Sequence, residues 1–255
     1  MVEVILACAL MSILMVVLGT ALSQAQNAFR SASGTSDASD ELRKACSYLR
    51  QELIQTSATQ VSSTNSTSSL GAPDGAAIWF LSNRGSDGNT YFLDDGSPFW
   101  QRNVLFYLVV PNNHAALFGW NCAGGAGPGP FGHDDRCPHK VLIRKEIDFG
   151  AVTDPLNPAD IESLMSAADI GPYLTRPVGY SVVAMNAEPG VDNTRIIGRN
   201  LLTFEVATTA AGSISLDTRA VSIARARTKV SLGSVSLYDS PYTFHFGMSV
   251  SPSVP

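Results

Sequence analysis

The N-terminal stretch is the feature that most restricts what this chain can fold into. Residues 4–22 are apolar except at Ser12, Gly19 and Thr20. A helix rises about 1.5 Å per residue, so a stretch of this length can cross the roughly 30 Å hydrocarbon core of a bilayer. Glu3 carries the only charged side chain before Arg30. Because an ionised carboxylate in an apolar setting needs a partner or a function, Glu3 is the first candidate for a functional contact.

An α-amino group is the nearest candidate partner for Glu3. It could be the chain's own amine or that of a neighbouring copy. If many such helices pack side by side, a single axial offset pairs each carboxylate with a neighbour's amine. Glu3 would then set the register of an assembly.

The flanks of the apolar stretch lack the basic residues that a membrane anchor or a secretory signal usually carries. We therefore expect a processed product whose basic leader has been removed. A secretory signal peptide cut among the small residues at 21–25 and an ordinary single-span anchor are the alternatives.

Composition indicates a β-rich domain after the apolar stretch. The chain has 255 residues, of which 45% are hydrophobic and 15% charged, with 21 Gly and 14 Pro. This is typical of strands and loops rather than a helical bundle. The net charge of -5, without a dense basic run, gives no reason to expect a nucleic-acid partner.

The opening "MVEVILACALMSILMVVL" resembles the mature start of type IV pilins and type II secretion pseudopilins. In that family a prepilin peptidase removes a leader, the new first residue is N-methylated, and a glutamate near the start serves assembly. The family's glutamate is the fifth mature residue, whereas here it is the third. The resemblance thus implies either two further residues before Met1 or a different cleavage site.

Later segments resemble the large minor pseudopilins of the J type. They are "VLFYLVV", "VLIRKE", "LLTFEV" and "TRAVSIARART", in that order. The resemblance implies an α+β, pilin-like fold, with a long N-terminal hydrophobic helix packed on a C-terminal antiparallel sheet. It implies a structural subunit of a pilus-like or pseudopilus filament. Its partners would be copies of itself or other pilin-like subunits, the prepilin peptidase and the assembly machinery. It would lie in a bacterial inner membrane before assembly and in a periplasmic or extracellular filament afterwards.

The pattern divides the chain into a hydrophobic helix at 1–30 and a globular domain at 31–255. Within the latter we expect an amphipathic helix at 31–60, because Leu42, Cys46, Leu49 and Leu53 recur at helical spacing. Gly34 and several cap-forming residues predict a break in the helix near 31–38. A β-rich head follows at 76–255, with an inserted loop at 111–138.

Strands are predicted at 76–82, 90–94, 103–110, 140–149, 179–185, 201–208 and 220–232, with a last strand in the aromatic tail. Several alternate apolar and polar residues, as strands with one solvated face do. A short helix is predicted between the fourth and fifth, with Asn157 as its cap and Pro158 in its first turn.

Two of the four cysteines, Cys122 and Cys137, bracket a loop rich in Gly and Pro. We predict a disulfide between them, which implies an oxidising compartment. Asn65 begins an Asn-Ser-Thr sequon and is a possible glycosylation site, although a plain solvated loop also fits.

Catalytic and metal-binding patterns are weak. His133, Asp134, Asp135, Cys137 and His139 are close in sequence, but they lack the regular spacing of zinc ligands. Hydrolase, P-loop and haem-attachment motifs do not occur in the sequence. We therefore predict no metal, cofactor or catalytic residue. Besides the bulk filament subunit, three alternatives stay open: a minor or tip pseudopilin, a membrane-tethered adhesin domain, and an enzyme with an unfamiliar site.

Overall fold

The chain forms a long N-terminal helix followed by an antiparallel sheet, which is the predicted α+β class. The computed structural model describes residues 1–64, 76–85, 87–109, 140–150, 153–154, 156–174, 181–208, 213–222 and 243–252. The predicted insert at 111–138 lies outside these ranges.

Helix α1 runs without interruption from Val2–Ile54, over 53 residues. The predicted break near 31–38 is wrong. The hydroxyl of Thr35 donates to the carbonyl oxygen of Ser31 at 2.9 Å, so this polar side chain is satisfied inside the helix. Ala38 is already buried, so tertiary contacts begin within the segment. Gly34 costs about 1 kcal/mol relative to alanine, and a cooperative helix with packing beyond the glycine tolerates that cost.

Seven strands follow in one sheet whose spatial order equals the chain order, with every neighbouring pair antiparallel. They are β1 Val61–Thr64, β2 Ala77–Ser82, β3 Arg102–Val109, β4 Lys140–Ile147, β5 Val191–Thr208, β6 Ile214–Val221 and β7 Thr243–Val250. The described helices after α1 are short: the 3₁₀ turns Ala58–Gln60, Pro158–Asp160 and Gly171–Tyr173, and the α-helices α2 Ala167–Ile170 and α3 Val182–Met185.

The sheet curls around α1 because β5 bends. Its first half pairs with β4 and its second half with β6, with register shifts in both ladders. Asn200 lies at the bend with a φ of 57°. The curl brings the start of β2 back to β5, where the N–H of Ala76 donates to the carbonyl of Phe204 at 3.2 Å.

Two hydrophobic cores lie on opposite faces of the sheet. On one face α1 packs its stripe of Ala38, Leu42, Ala45, Leu49 and Leu53 against inward-facing strand residues. On the other, the connection between β4 and β5 covers β2, β3 and β4. These three strands are therefore buried on both sides, instead of having the solvated face that the alternating pattern predicts.

Some predicted elements differ from the structure. The strand predicted at 179–185 is wrong, because α3 occupies 182–185 and the Ser181 hydroxyl accepts from the Ala184 N–H. Residues 90–94 contribute only isolated bridges. Asn157 does accept from the Ala159 N–H, with Pro158 in the first turn, but that helix is a single 3₁₀ turn.

Gly198 allows α1 to approach β5 closely. A Cβ placed on Gly198 would lie 2.9 Å from the Cβ of Ala45 and 3.6 Å from the carbonyl oxygen of Glu41. The first distance is too short for two carbons, so any side chain at 198 forces the helix away from the strand. The small pair Gly198 and Ala45 therefore sets the distance between helix and sheet.

We expect Gly198→Ala to lower the free energy of unfolding by about 1–3 kcal/mol, because the added methyl group overpacks this contact. Gly247→Ala in β7 is the matched control, since a Cβ there has only ordinary contacts with His245 at 3.6 Å. Chemical denaturation of the full chain in detergent micelles, followed by circular dichroism, measures both variants. Equal stability of the two variants would contradict the close-approach explanation.

Candidate assembly site

The N-terminal half of α1 presents an uncovered apolar surface. Residues 1–30 are all exposed, while the buried residues of the helix begin at Ala38. Large side chains such as Ile5, Leu14 and Val16 keep more than half of their surface in contact with solvent. Burying such a side chain contributes about 1.5–3 kcal/mol, so this half has a strong tendency to leave water. It is also long and apolar enough to cross a membrane.

The other polar side chains within the apolar stretch are satisfied by the helix itself. The Ser12 hydroxyl donates to the Cys8 carbonyl at 2.8 Å, and the Thr20 hydroxyl donates to the Val17 carbonyl at 2.9 Å. Glu3 has no hydrogen bond or ion pair with any described residue, although Met1 provides an amine in the same turn. Among the described residues, Glu3 is thus the polar group of this surface that is left without a partner.

Small residues lie beside Glu3 on the same helix face. Ala7 and Cys8 are the small residues that flank it along a shallow groove on the helix, next to the larger Val4 and Met11. Small side chains let a second helix approach closely, which favours packing in a membrane or a helical bundle. The carboxylate of Glu3 therefore lies at the end of a surface suited to another helix.

The C-terminal half of α1 is tied to the head by polar contacts as well as by its apolar stripe. The Glu41 carboxylate accepts the backbone N–H of Arg199 at 2.8 Å, next to Gly198. This contact satisfies a strand N–H at the bend of β5, where regular pairing is interrupted. The helix is therefore held in a defined position along β5.

A buried ion pair joins the end of α1 to the middle of the sheet. Nη2 of Arg144 donates to both carboxylate oxygens of Glu52, each at 3.0 Å, and Nη1 donates to Glu146. The side chains of Arg144 and Glu52 are 4% and 8% exposed. Burial alone would lower the pKa of Arg144, but the two carboxylates raise it, so the guanidinium stays charged.

Arg102 extends this pair into a chain of alternating charges. It contacts Glu146 at 3.1 Å and Asp192 of β5 at 2.9 Å. Burial would raise the pKa of Glu146, but the two arginines lower it on balance. The network links α1, β3, β4 and β5, and it was not predicted from the sequence. Its signal in the sequence is the run Arg144-Lys145-Glu146, which follows the apolar residues 141–143 of β4.

Glu162 is the described carboxyl group that most resembles a catalytic acid or base. Its pKa is raised to about 7, chiefly by burial and further by the nearby Asp148 carboxylate. Its oxygens accept the N–H groups of Phe149 and Ser163, both at 3.1 Å, and the side-chain amide of Asn103 at 3.4 Å. These bonds hold the β4–β5 connection against the sheet, so the geometry fits a structural role.

Several predicted site residues lie outside the described residues. They are Cys122, Cys137 and Asn65, together with the acidic and histidine cluster at 133–139. Cys8 is exposed and Cys46 buried, and both are free thiols. Among the described ranges, groups of three or more His, Cys, Asp or Glu placed to hold a metal do not occur.

No protein-family model matches this chain, and neither the curated proteins nor the solved structures contain a significant match to it. The structure establishes a long apolar N-terminal helix on an antiparallel sheet domain, which is compatible with a pilin-like fold.

We expect Glu52→Ala to lower the free energy of unfolding by about 3 kcal/mol, because it leaves a buried guanidinium without its bidentate partner. Lys44→Ala is the control on the same helix. The Lys44 side chain is 62% exposed and lies 3.9 Å from Glu41, so its loss changes stability by less than about 0.5 kcal/mol. Urea unfolding followed by near-UV circular dichroism measures the free energy of unfolding of both variants. Similar losses of stability would mean that the buried ion pair contributes no more than the exposed one.

Glu162 makes stability depend on pH in a defined direction. Its pKa is higher in the folded chain than the ordinary pKa of a glutamate, about 4.5, so folding favours its protonated form. The stabilisation is complete below about pH 4.5 and is lost as the pH rises through about 7. Relative to Glu162→Gln, the unfolding free energy should fall by about 2 kcal/mol between pH 4.5 and pH 8. If the unfolding free energies of the wild type and of Glu162→Gln changed equally with pH, this effect would be refuted.

Proposed function

We propose that this protein is a structural subunit of a type IV pilus-like or pseudopilus filament, which assembles through the N-terminal half of α1. The observation that carries the proposal is one continuous helix whose first 30 residues are exposed and apolar while its later residues are docked on a β-rich head. The resemblance of "MVEVILACALMSILMVVL" to the start of mature pilins supports it independently. Before assembly, the apolar half would be held in the inner membrane.

The energetics of assembly indicate which interactions must favour the filament over the membrane. Moving an apolar helix from lipid into a bundle of similar helices gains little hydrophobic free energy, since lipid tails are equally apolar. Close packing and specific polar contacts must provide the preference for the filament. The small residues beside Glu3 serve the packing, and the carboxylate itself provides the polar contact.

In the proposed filament, Glu3 pairs with the N-terminal amine of a neighbouring subunit. A carboxylate in an apolar bundle is costly unless it is paired, so the axial offset that brings the two charges together is preferred over all others. This explains why one acid is tolerated at the start of an apolar surface whose other polar groups are satisfied internally.

A minor or tip subunit is the second candidate. The resemblance to large J-type pseudopilins favours it, because those subunits prime assembly or contact secreted substrates. It predicts a low copy number in purified filaments. A membrane-tethered adhesin domain would instead remain monomeric after extraction from the membrane.

The test is assembly of Glu3→Gln in cells that carry a pilus-type assembly machinery. The variant removes the charge and keeps the shape, so we expect at least a tenfold lower filament yield in the sheared surface fraction. Asp40→Asn, a charge removal on the same helix outside the apolar half, is the matched control and should assemble normally. Normal yield from Glu3→Gln would refute the role of the carboxylate.

If neither variant nor the wild type is recovered in filaments, the filament proposal itself fails. Membrane fractionation of all three proteins then tests the tethered-domain alternative, because a tethered domain stays in the membrane pellet irrespective of Glu3.

A further inference from the structure

A polar cavity lies at the end of α1 that is farthest from Glu3. Its volume is about 470 Å³, and it opens between the last turns of the helix and the residues that follow β2. It is lined by Tyr48, Gln51, Glu52, Ile54, Gln55 and Arg84. A cavity of this size lies within the range of small-ligand sites.

Arg84 is the unusual member of this lining. Its backbone N–H donates to the Ser82 hydroxyl, but its guanidinium has no acidic partner or hydrogen-bond acceptor among the described residues. Its Nε is buried and unpaired, so the cation has lost part of its hydration without compensation. An anion in the cavity would provide that compensation.

The remaining charge in the cavity is neutralised. Both oxygens of Glu52 face Arg144, so this carboxylate is already compensated. The carbonyls of Glu52 and Leu53 accept N–H groups from Gln55 and Thr56, so these two carbonyls at the end of the helix are satisfied. Of the two charged residues in the lining, Arg84 is therefore the one without a counter-ion among the described residues. The amides of Gln51 and Gln55 add hydrogen-bond donors at the same wall.

We propose that this cavity is a carboxylate-binding site, in which Arg84 supplies the cation and the amide groups of Gln51 and Gln55 supply orienting donors. Guanidinium groups match carboxylates in shape and charge better than ammonium groups do. The carboxylate would belong either to a small free acid or to an acidic residue of a polypeptide. The site is separate from the apolar surface near Glu3 and does not depend on the proposed filament.

The test is titration of the full chain in detergent micelles, labelled with ¹⁵N-arginine, and followed through the Nε–H signal of Arg84. The signal is assigned as the one missing from Arg84→Lys. Sodium acetate and N-acetyl-glutamyl amide at constant ionic strength are the two probes, with sodium chloride as the reference. We expect a saturable shift of the Arg84 signal with a dissociation constant of roughly 1 mM, typical of a single weak site.

Saturation by acetate at the same concentration as the peptide would identify a free acid as sufficient, whereas saturation by the peptide alone would identify a polypeptide carboxylate. Either result supports the site. The second readout uses a sample labelled with ¹⁵N-glutamine, in which a spin-labelled carboxylate should broaden the side-chain amide signals of Gln51 and Gln55. Arg84→Gln should weaken this binding at least fivefold.

Arg43→Gln is the matched control, because Arg43 is exposed on the same helix and outside the cavity. It should leave both readouts unchanged. Linear, non-saturating shifts that sodium chloride reproduces, or equal broadening in Arg84→Gln and Arg43→Gln, would overturn the proposal. Preserved dispersion of the other arginine signals in Arg84→Gln shows that the variant is folded.

Discussion

The packing of α1 against the curled sheet is the constraint on which the rest of this structure depends. One helix has to remain bare over its first 30 residues and be covered from Ala38 onward. The change occurs without a break in the backbone, so it is made by side chains alone. The stripe from Ala38 to Leu53 fills the concave face of the sheet, and Gly198 gives the helix room to lie directly on β5.

Buried charges make this packing specific. An apolar stripe alone would allow the helix to slide along the concave face of the sheet, since one leucine can take the place of another in the same contacts. The bidentate contact between Arg144 and Glu52 and the contact between Glu41 and the Arg199 N–H exist at one position only. On the opposite face, Lys145 is fully buried and contacts Glu188 at 2.6 Å and the Tyr173 carbonyl at 2.6 Å. Consecutive residues of β4 thus fix the helix on one side and the long connection on the other.

The sequence allowed prediction of the parts of the fold that depend on periodicity. The apolar helix, its buried stripe and the strands predicted at 76–82, 103–110, 140–149 and 201–208 follow from spacing, and the structure confirms them. The strand predicted at 220–232 lies outside the described residues beyond 222, and most of β6 was not predicted. The predicted break at 31–38 is wrong because the cooperativity of a helix anchored at Ala38 outweighs the preference of the local cap-forming residues for a helix end. The strand at 179–185 was wrong because Ser181 caps a helical turn among β-branched residues. β1 was missed because its Ser and Thr residues resemble a loop and it pairs only through β2.

The candidate sites also differ in how far the sequence predicts them. Glu3 is predictable, because a single charged residue in an apolar run can be recognised without knowledge of the fold. The network of Arg144 and the cavity of Arg84 depend on residues far apart in sequence, so only the fold brings them together.

The continuity of α1 also determines how its two candidate contacts can be related. Glu3 and Gln51 lie on one helix, and at about 1.5 Å per residue they are roughly 70 Å apart. Helix α1 is continuous and one half of it is fixed to the head, so the described backbone shows no hinge through which occupancy of the cavity would change the surroundings of Glu3. The continuous helix does fix the position of the head relative to the apolar half. In the proposed filament, a neighbour that packs on the apolar half at a fixed axial offset also has its head at a fixed height relative to this one, so the register set near Glu3 determines which surfaces of the two heads meet.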